Sequence, residues 1–369
     1  MSLVTPLARE FGMTTPIFAF SYMPDVVIAV TNAGGLGVLG CVRFGGDAAE
    51  MQEVVDYVKK AVGGKPFGLN VVTPMSSKTV AADDLDGLQH KLEGLIPEET
   101  VSEVNKFLTE KGVPALTDTQ GQRTVLGWTP QTGAIQLEVA LRNRPDLLVS
   151  ALGPPPEESI KASHDVGIPV AALVGRVDQA RKQRDAGVDI IVAQGTEAGG
   201  HTGEIASFVL TPEVVDEVAP APVLHAGGVA DGRQVAAALA LGAQGVWTGS
   251  LWFSATEHAV PAPLQTMIDS ATSADTIRSR SLTGKPARQL RTEWIDFWES
   301  GRVDPLMMPL QYMVTNEAMA RFREHGREDL LGTPIGQIVG RLSGARPVAD
   351  IIGDLMKDAA TAAARLTND

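Results

Sequence analysis

Eight short apolar runs, each bounded by glycine or proline, constrain the fold of this 369-residue chain more than any other feature. They are Pro16–Phe20, Leu36–Gly40, Phe67–Val72, Asp146–Leu152, Ile168–Val174, Val188–Ala193, Pro222–Ala226 and Gly245–Leu251. Most are separated by stretches of helical periodicity. Strands of this uninterrupted apolar kind are buried on both faces. Their alternation with helices implies parallel pairing, because a parallel neighbour is reached only through a long return connection. Eight such units predict an α/β fold, a closed (β/α)8 TIM barrel; a doubly wound open sheet is the competing arrangement. With 44% hydrophobic residues the chain can bury a core of that size. The helices carry their own punctuation. "GRVDQARKQRDAG" closes on Gly187, and "DGRQVAAALALG" opens on Asp231 and ends on Gly242.

Two stretches break the rhythm. Residues 75–130 are polar, largely helical in pattern and too long for an ordinary strand-to-helix loop, so they read as a helical insertion, a lid over the barrel mouth. Beyond about residue 255 strand signals stop, and "PLQTMIDSA", "TEWIDFWES", "NEAMARFREHG" and "ARPVADIIGDLMKDAATAAARL" predict helices. The expected organisation is a barrel over 1–74 and 131–260, an insertion over 75–130 and a helical C-terminal extension over 261–369. The formal charge of −13 without a Lys/Arg cluster argues against nucleic acid and anionic membrane as partners and favours a small-molecule substrate. The single cysteine, Cys41, allows neither an intrachain disulfide nor a thiolate metal cage, so no metal is expected. With no signal pattern and no apolar run long enough to span a bilayer, the expected location is cytoplasmic. A homodimer is left open.

In a barrel of this class the loops after the seventh and eighth strands commonly bind a phosphate, aided by a nearby helix N-terminus. Here those loops are glycine-bearing. The seventh run leads into "HAGGVADG", where Gly227 and Gly228 allow backbone to approach an anion, and the eighth into "WTGSLW", where Gly249 and Ser250 offer amides and a hydroxyl. Glycines at such places also serve tight turns. The sixth run leads into "QGTEAGGHTG" on the same rim, and Gly195, Gly199, Gly200 and Gly203 leave room for a flat ligand. His201 would face it, as a group able to take or give a proton near neutral pH. Glu197, in the same loop, reads as a brace accepting backbone N–H bonds. His225, inside "VLHAGG", reads as a satisfied core residue, and Cys41 as packing. His90, His164, His258 and His325 have no partner motif.

Taken together, "NAGGLGVLG" (32–40), "KPFGLNVV" (65–72), "AQGTEAGGHTG" (193–203), "HAGGVADGRQVAAALALGAQGVWTGSLW" (225–252) and "LTGKPARQLR" (282–291) resemble the nitronate monooxygenases, an FMN-dependent (β/α)8 family. The resemblance implies that Asn70, Gln194 and Gly199 contact the flavin. It implies that Gly228 with Trp247, Thr248, Gly249 and Ser250 holds its phosphate, and that His201 is the catalytic base. The activity implied is FMN-dependent oxidation of alkyl nitronates or nitroalkanes by dioxygen to carbonyl compounds and nitrite. Ser21 and Tyr22, in "FAFSYMP", stand where the family commonly has a Pro-Met pair, so the flavin's dimethylbenzene edge would be met differently. The insertion is a second departure, bearing on which substrates fit. FMN-dependent NAD(P)H reductases of enoyl-acyl substrates share the barrel and a similar glycine-histidine motif, and they are the alternative reading. A non-catalytic flavin-binding protein is the second alternative.

Overall fold

The computed structural model describes residues 3–72, 85–117, 129–150 and 153–367. In chain order the strands are β1 (Ile17–Ser21), β2 (Leu36–Gly40), β3 (Phe67–Val71), β4 (Leu147–Ser150), β5 (Val170–Val174), β6 (Ile190–Gln194), β7 (Gly200–His201), β8 (Val223–Ala226), β9 (Gly245–Thr248), β10 (Thr276–Ser279) and β11 (Ala287–Leu290). All except β7, β10 and β11 form one closed parallel barrel in chain order. Closure is made by β1 against β9, with Phe18 opposite Trp247, which rules out the open sheet.

Residues alternate across each barrel strand. Phe18, Val38, Leu147, Val149, Ala171, Val192 and Leu224 fill the interior, with Leu7 and Ala8 of the helix Pro6–Glu10 in the same cluster. Leu39, Leu69 and Val71 point outward onto the helix Ala48–Val62. Where the helix Pro24–Asn32 crosses β2, a Cβ on Gly37 would come within 2.3 Å of the Val27 carbonyl oxygen, so glycine permits that approach. The expected helices form. Val177–Asp185 is followed by Gly187 at φ +95, and Gly232–Ala240 is capped by the Asp231 side chain, which accepts from Arg233 N at 2.8 Å. Ala262–Ser270, Glu293–Glu299, Leu310–Glu324 and Val348–Thr367 are the helices expected after the barrel.

Strand structure does not stop at residue 255. β10 and β11 form an antiparallel pair, and β7 joins β11 with His201 opposite Ala287. The sequences "TIRS" and "ARQL" lack apolar alternation because Arg288 occupies a buried rung. Its guanidinium is satisfied there, donating from Nε to Thr196 O at 2.8 Å and from Nη1 to Thr276 Oγ1 at 3.0 Å.

Of the 75–130 insertion, residues 75–84 and 118–128 lie outside the described residues. Leu85–Glu93 and Glu98–Glu110 are helical. Leu92, Val104, Phe107 and Leu108 share a cluster with Trp294, Phe297, Trp298, Met313 and Phe322 of the C-terminal helices. The Phe107 and Phe297 ring centroids lie 5.0 Å apart. Among the described residues no helix is long and apolar enough to cross a membrane, and no group of three or more His, Cys, Asp or Glu is placed to hold a metal ion.

Candidate active site

A cavity of about 290 Å³ opens at the C-terminal ends of the barrel strands. Every site residue predicted from sequence lines it: Ser21, Tyr22, Asn70, Gln194, Gly199, Gly200, His201, Gly227, Gly228, Trp247, Thr248, Gly249 and Ser250. Among the described lining residues none comes from 85–117. A second hollow of about 350 Å³ lies at the opposite end of the barrel, where Glu10 is the one ionisable side chain among its described lining residues. Groups able to perform chemistry gather at the first.

The pairing of β7 with β11 delivers His201 to the cavity. Its Nδ1 lies 3.2 Å from Pro286 O, and its Nε2 lies 3.4 Å from Thr283 Oγ1. A carbonyl oxygen only accepts, so this contact assigns the proton to Nδ1 and leaves Nε2 as the acceptor. Burial pushes the His201 pKa down to about 4; the Lys285 charge acts in the same direction, and the bond to Pro286 opposes both. The imidazole is therefore neutral at neutral pH.

Glu197 braces its loop. Its carboxylate accepts from Ser207 N at 3.2 Å and from the Ser207 hydroxyl, and its carbonyl accepts from Gln337 N at 2.9 Å. His225 is buried with both ring nitrogens engaged, Nδ1 with Thr211 Oγ1 at 2.8 Å and Nε2 with Gly227 O at 3.1 Å. Cys41 is wholly buried, and burial pushes its thiol pKa up, away from nucleophilic use. His164 pairs with Asp189 at 2.8 Å on the surface.

Two glycines of the histidine loop, Gly195 and Gly203, are not at the cavity as expected from sequence. A Cβ on Gly195 would lie 2.3 Å from Ser207 N, one on Gly199 2.8 Å from Gly336 N, and one on Gly203 2.7 Å from Gly175 O. All three Cβ positions face neighbouring protein backbone, and of the three only Gly199 is among the cavity's described lining residues. Only Gly200, at φ +77, has open space at its Cβ position. The helix N-terminus beyond Gly228 is likewise already occupied. Asp231 caps it while paired with Arg233 at 2.6 Å and Arg341 at 2.7 Å, and the bond to Arg233 leads in holding its pKa down to about 2. Gly249 remains open, with no atom of the described residues within 4 Å of its Cβ position.

Sequence reasoning missed one wall of the cavity, formed by Phe253, His258, Leu282, Pro334, Gly336 and Ile338. The segment around Gly336 is tied across the rim by Gly336 N donating to Ser250 Oγ at 2.8 Å. A Cβ on Gly336 would lie 2.7 Å from Glu197 O, so the glycines of "TPIGQIVG" were the only available hint. On the other side Asn70 is 4% exposed, and among the described residues its Nδ2 has no hydrogen-bond partner. Such a donor fits a bound group that accepts hydrogen bonds.

The family model for nitronate monooxygenase matches residues 7–358. The chain belongs to the nitronate monooxygenase family. A Mycobacterium tuberculosis protein named as a monooxygenase is 43% identical over 363 residues, 96% of each chain. A Staphylococcus aureus protein named as a nitronate monooxygenase is 26% identical over 364 residues, again 96% of each. Among solved structures, nitroalkane oxidase from Streptomyces ansochromogenes matches with a TM-score of 0.80 at 24% identity, covering 98% of this chain and 99% of that one. FabK from Thermotoga maritima matches at 0.72 and 24%, covering 98% of each. The two structures share the barrel fold. Family membership makes the chain an oxidoreductase of nitronate monooxygenase type and points to a flavin cofactor.

Proposed function

We propose that the chain oxidises alkyl nitronates, and nitroalkanes once deprotonated, with FMN as cofactor and dioxygen as oxidant, releasing a carbonyl compound and nitrite. The observation that carries this reading is His201, neutral and with Nε2 as acceptor, on a cavity that also holds the unpartnered Asn70 Nδ2. Asn70, Gln194 and the backbone at Gly199–Gly200 would hold the flavin ring, with Ser21 and Tyr22 at its edge. Gly227, Gly228, Gly249 and Ser250 would take the phosphate. Trp247 and Thr248 position that last loop, since the Thr248 hydroxyl donates to Phe18 O at 3.0 Å and fixes β9 to β1.

Bound FMN supplies the electron-accepting chemistry. His201 Nε2 removes the α proton of a neutral nitroalkane. The imidazolium so formed lies beside the anion it has generated, and their attraction offsets the low pKa of the free ring. A preformed nitronate needs no such step. Phe20, Val42, Val72 and Leu173 give the cavity an apolar wall that accommodates an alkyl chain and limits water. We also propose the division into a barrel over 1–74 and 131–260, an insertion over 75–130 and a C-terminal region over 261–369.

The test is product analysis. Purified protein should carry one FMN per chain and convert propyl nitronate and dioxygen to propanal and nitrite in equal amounts. Yellow protein that yields no nitrite but consumes NADH or NADPH with an enoyl-acyl substrate would replace this reading with the reductase.

A further inference from the structure

The hairpin that holds His201 is a cationic stretch of an acidic chain. Residues 276–291, "TIRSRSLTGKPARQLR", carry five Arg or Lys and no carboxylate, against a formal charge of −13 for the whole. Three of the five are matched. Arg278 pairs with Glu204 at 3.8 Å, Arg291 pairs with Asp296 at 2.7 Å, and the Arg288 guanidinium is buried on Thr196 O and Thr276 Oγ1. Arg280 and Lys285 lie on the turn between β10 and β11, and among the described residues neither has a carboxylate within ion-pair distance, Glu299 and Asp304 of the neighbouring segment included. That turn stands at the mouth of the cavity. Leu282 lines the cavity, the Thr283 hydroxyl lies 3.4 Å from His201 Nε2, and Pro286 O lies 3.2 Å from His201 Nδ1. Lys285 is exposed and sits in the chain between those two contacts, its N donating to Thr283 Oγ1 at 3.3 Å. The turn is held in shape by Gly284 N donating to Arg280 O and Arg280 Nε donating to Gly284 O, each at 2.9 Å.

We infer that Lys285 guides anionic substrate into the cavity, so that the site takes the nitronate form from solution in preference to the neutral nitroalkane. The inference rests on the nitronate-oxidising reading above and adds to it which ionisation state is captured. An ammonium at the mouth of an otherwise acidic protein draws an anion toward the site and does nothing for a neutral molecule. Arg280 adds to the same field. The same charge works against the other substrate form. Burial leads in holding the His201 pKa down to about 4, and the Lys285 charge acts in the same direction, because a cation beside the ring disfavours a second one. The other charged groups on the elements around the ring are engaged, Glu197 with Ser207, Glu204 with Arg278, and Arg288 with Thr196 O. Lys285 therefore attracts the anion while weakening the base that a neutral nitroalkane needs.

The experiment compares FMN-loaded wild type, Lys285→Gln and Lys285→Arg on propyl nitronate and on neutral 1-nitropropane at neutral pH, from low salt to about 1 M NaCl, where the screening length is about 3 Å. Lys182→Gln makes the same change in net charge in the last turn of the helix Val177–Asp185, which leads back to the N-terminal end of β6. Wild-type kcat/KM for the nitronate should fall as salt rises, while that for 1-nitropropane stays level. Lys285→Gln should lower the nitronate value about three- to tenfold at low salt, converge on wild type at high salt, and cause no loss with 1-nitropropane. Lys285→Arg and Lys182→Gln should keep the wild-type pattern. NMR titration of the His201 ring, which needs no turnover, should give a higher pKa in Lys285→Gln. A salt-independent wild-type nitronate rate, equal losses on both substrate forms, as large a loss in Lys182→Gln, or an unmoved His201 titration would each overturn the inference. Wild-type protein that yields no nitrite from either substrate form would instead overturn the reading on which the inference stands.

Discussion

Replacing His201 by asparagine removes the one neutral imidazole that the structure orients at the cavity through Pro286 O while keeping a polar side chain of smaller volume. A lost general base costs about 10²- to 10⁴-fold in rate, which is the loss expected in kcat/KM for neutral nitroethane or 1-nitropropane. The preformed nitronate of the same compound asks for no proton removal, so its kcat/KM should fall by under about tenfold. The wild-type pH profile adds an independent readout. Because burial holds the His201 pKa down to about 4, kcat/KM for the neutral substrate should rise through that value and then stay level until the substrate itself ionises. Stopped-flow or oxygen-uptake assays on the two substrate forms give both quantities. Equal losses on nitroalkane and nitronate, or a wild-type acid limb near the ordinary histidine pKa, would refute proton abstraction by this ring.

Gly249→Val should give folded but colourless protein, since Gly249 sits at φ −137 with open space at its Cβ, and the new side chain would enter the proposed phosphate site. Visible absorbance and circular dichroism check the two halves; retained stoichiometric FMN would contradict the placement. Gly199→Ala should instead lower thermal stability, by about 1–3 kcal/mol, because its Cβ would press on the backbone of Ile335 and Gly336. A denaturant midpoint equal to wild type would show that the loop can yield. Acid stability should also report His201. Its folded pKa lies below the unfolded value, so the unfolded chain binds more protons between pH 6.5 and about 4, and stability falls as pH drops through that window. His201→Asn should flatten this slope, by up to about 3 kcal/mol over the window; an unchanged slope in thermal melts against pH would contradict the burial assigned to the ring.

The barrel was legible because its strands are buried on both faces, so runs such as "FGLNVV" and "VDIIV" stand out from the amphipathic helices between them. The rim was legible for a related reason. Gly228, Gly249 and His201 follow strand ends, where side chains are released from core packing and composition can answer to chemistry. The β10–β11 pair was hidden because its buried rung is an arginine that hydrogen bonds to backbone 92 residues away, a partner no local pattern announces. Gly195 and Gly203, which do not line the cavity, were misread for the converse reason. A glycine that admits a ligand and one that admits distant backbone look alike in sequence, and here the backbones are those of Ser207 and Gly175. The wall containing Pro334, Gly336 and Ile338 joins the site from more than 80 residues beyond Ser250, through N–H bonds from Gly336 to the Ser250 hydroxyl and from Gln337 to the Glu197 carbonyl. The insertion's described helices show their partner only in three dimensions, where Phe107 meets Trp294 and Phe297.

The most direct measurement is an anaerobic titration of the purified yellow protein, following the visible flavin band while propyl nitronate, NADH and NADPH are added to separate samples. The account predicts rapid bleaching by the nitronate, little by either nicotinamide, and return of the band when dioxygen is admitted. Rapid bleaching by NADH or NADPH with none by the nitronate would contradict it.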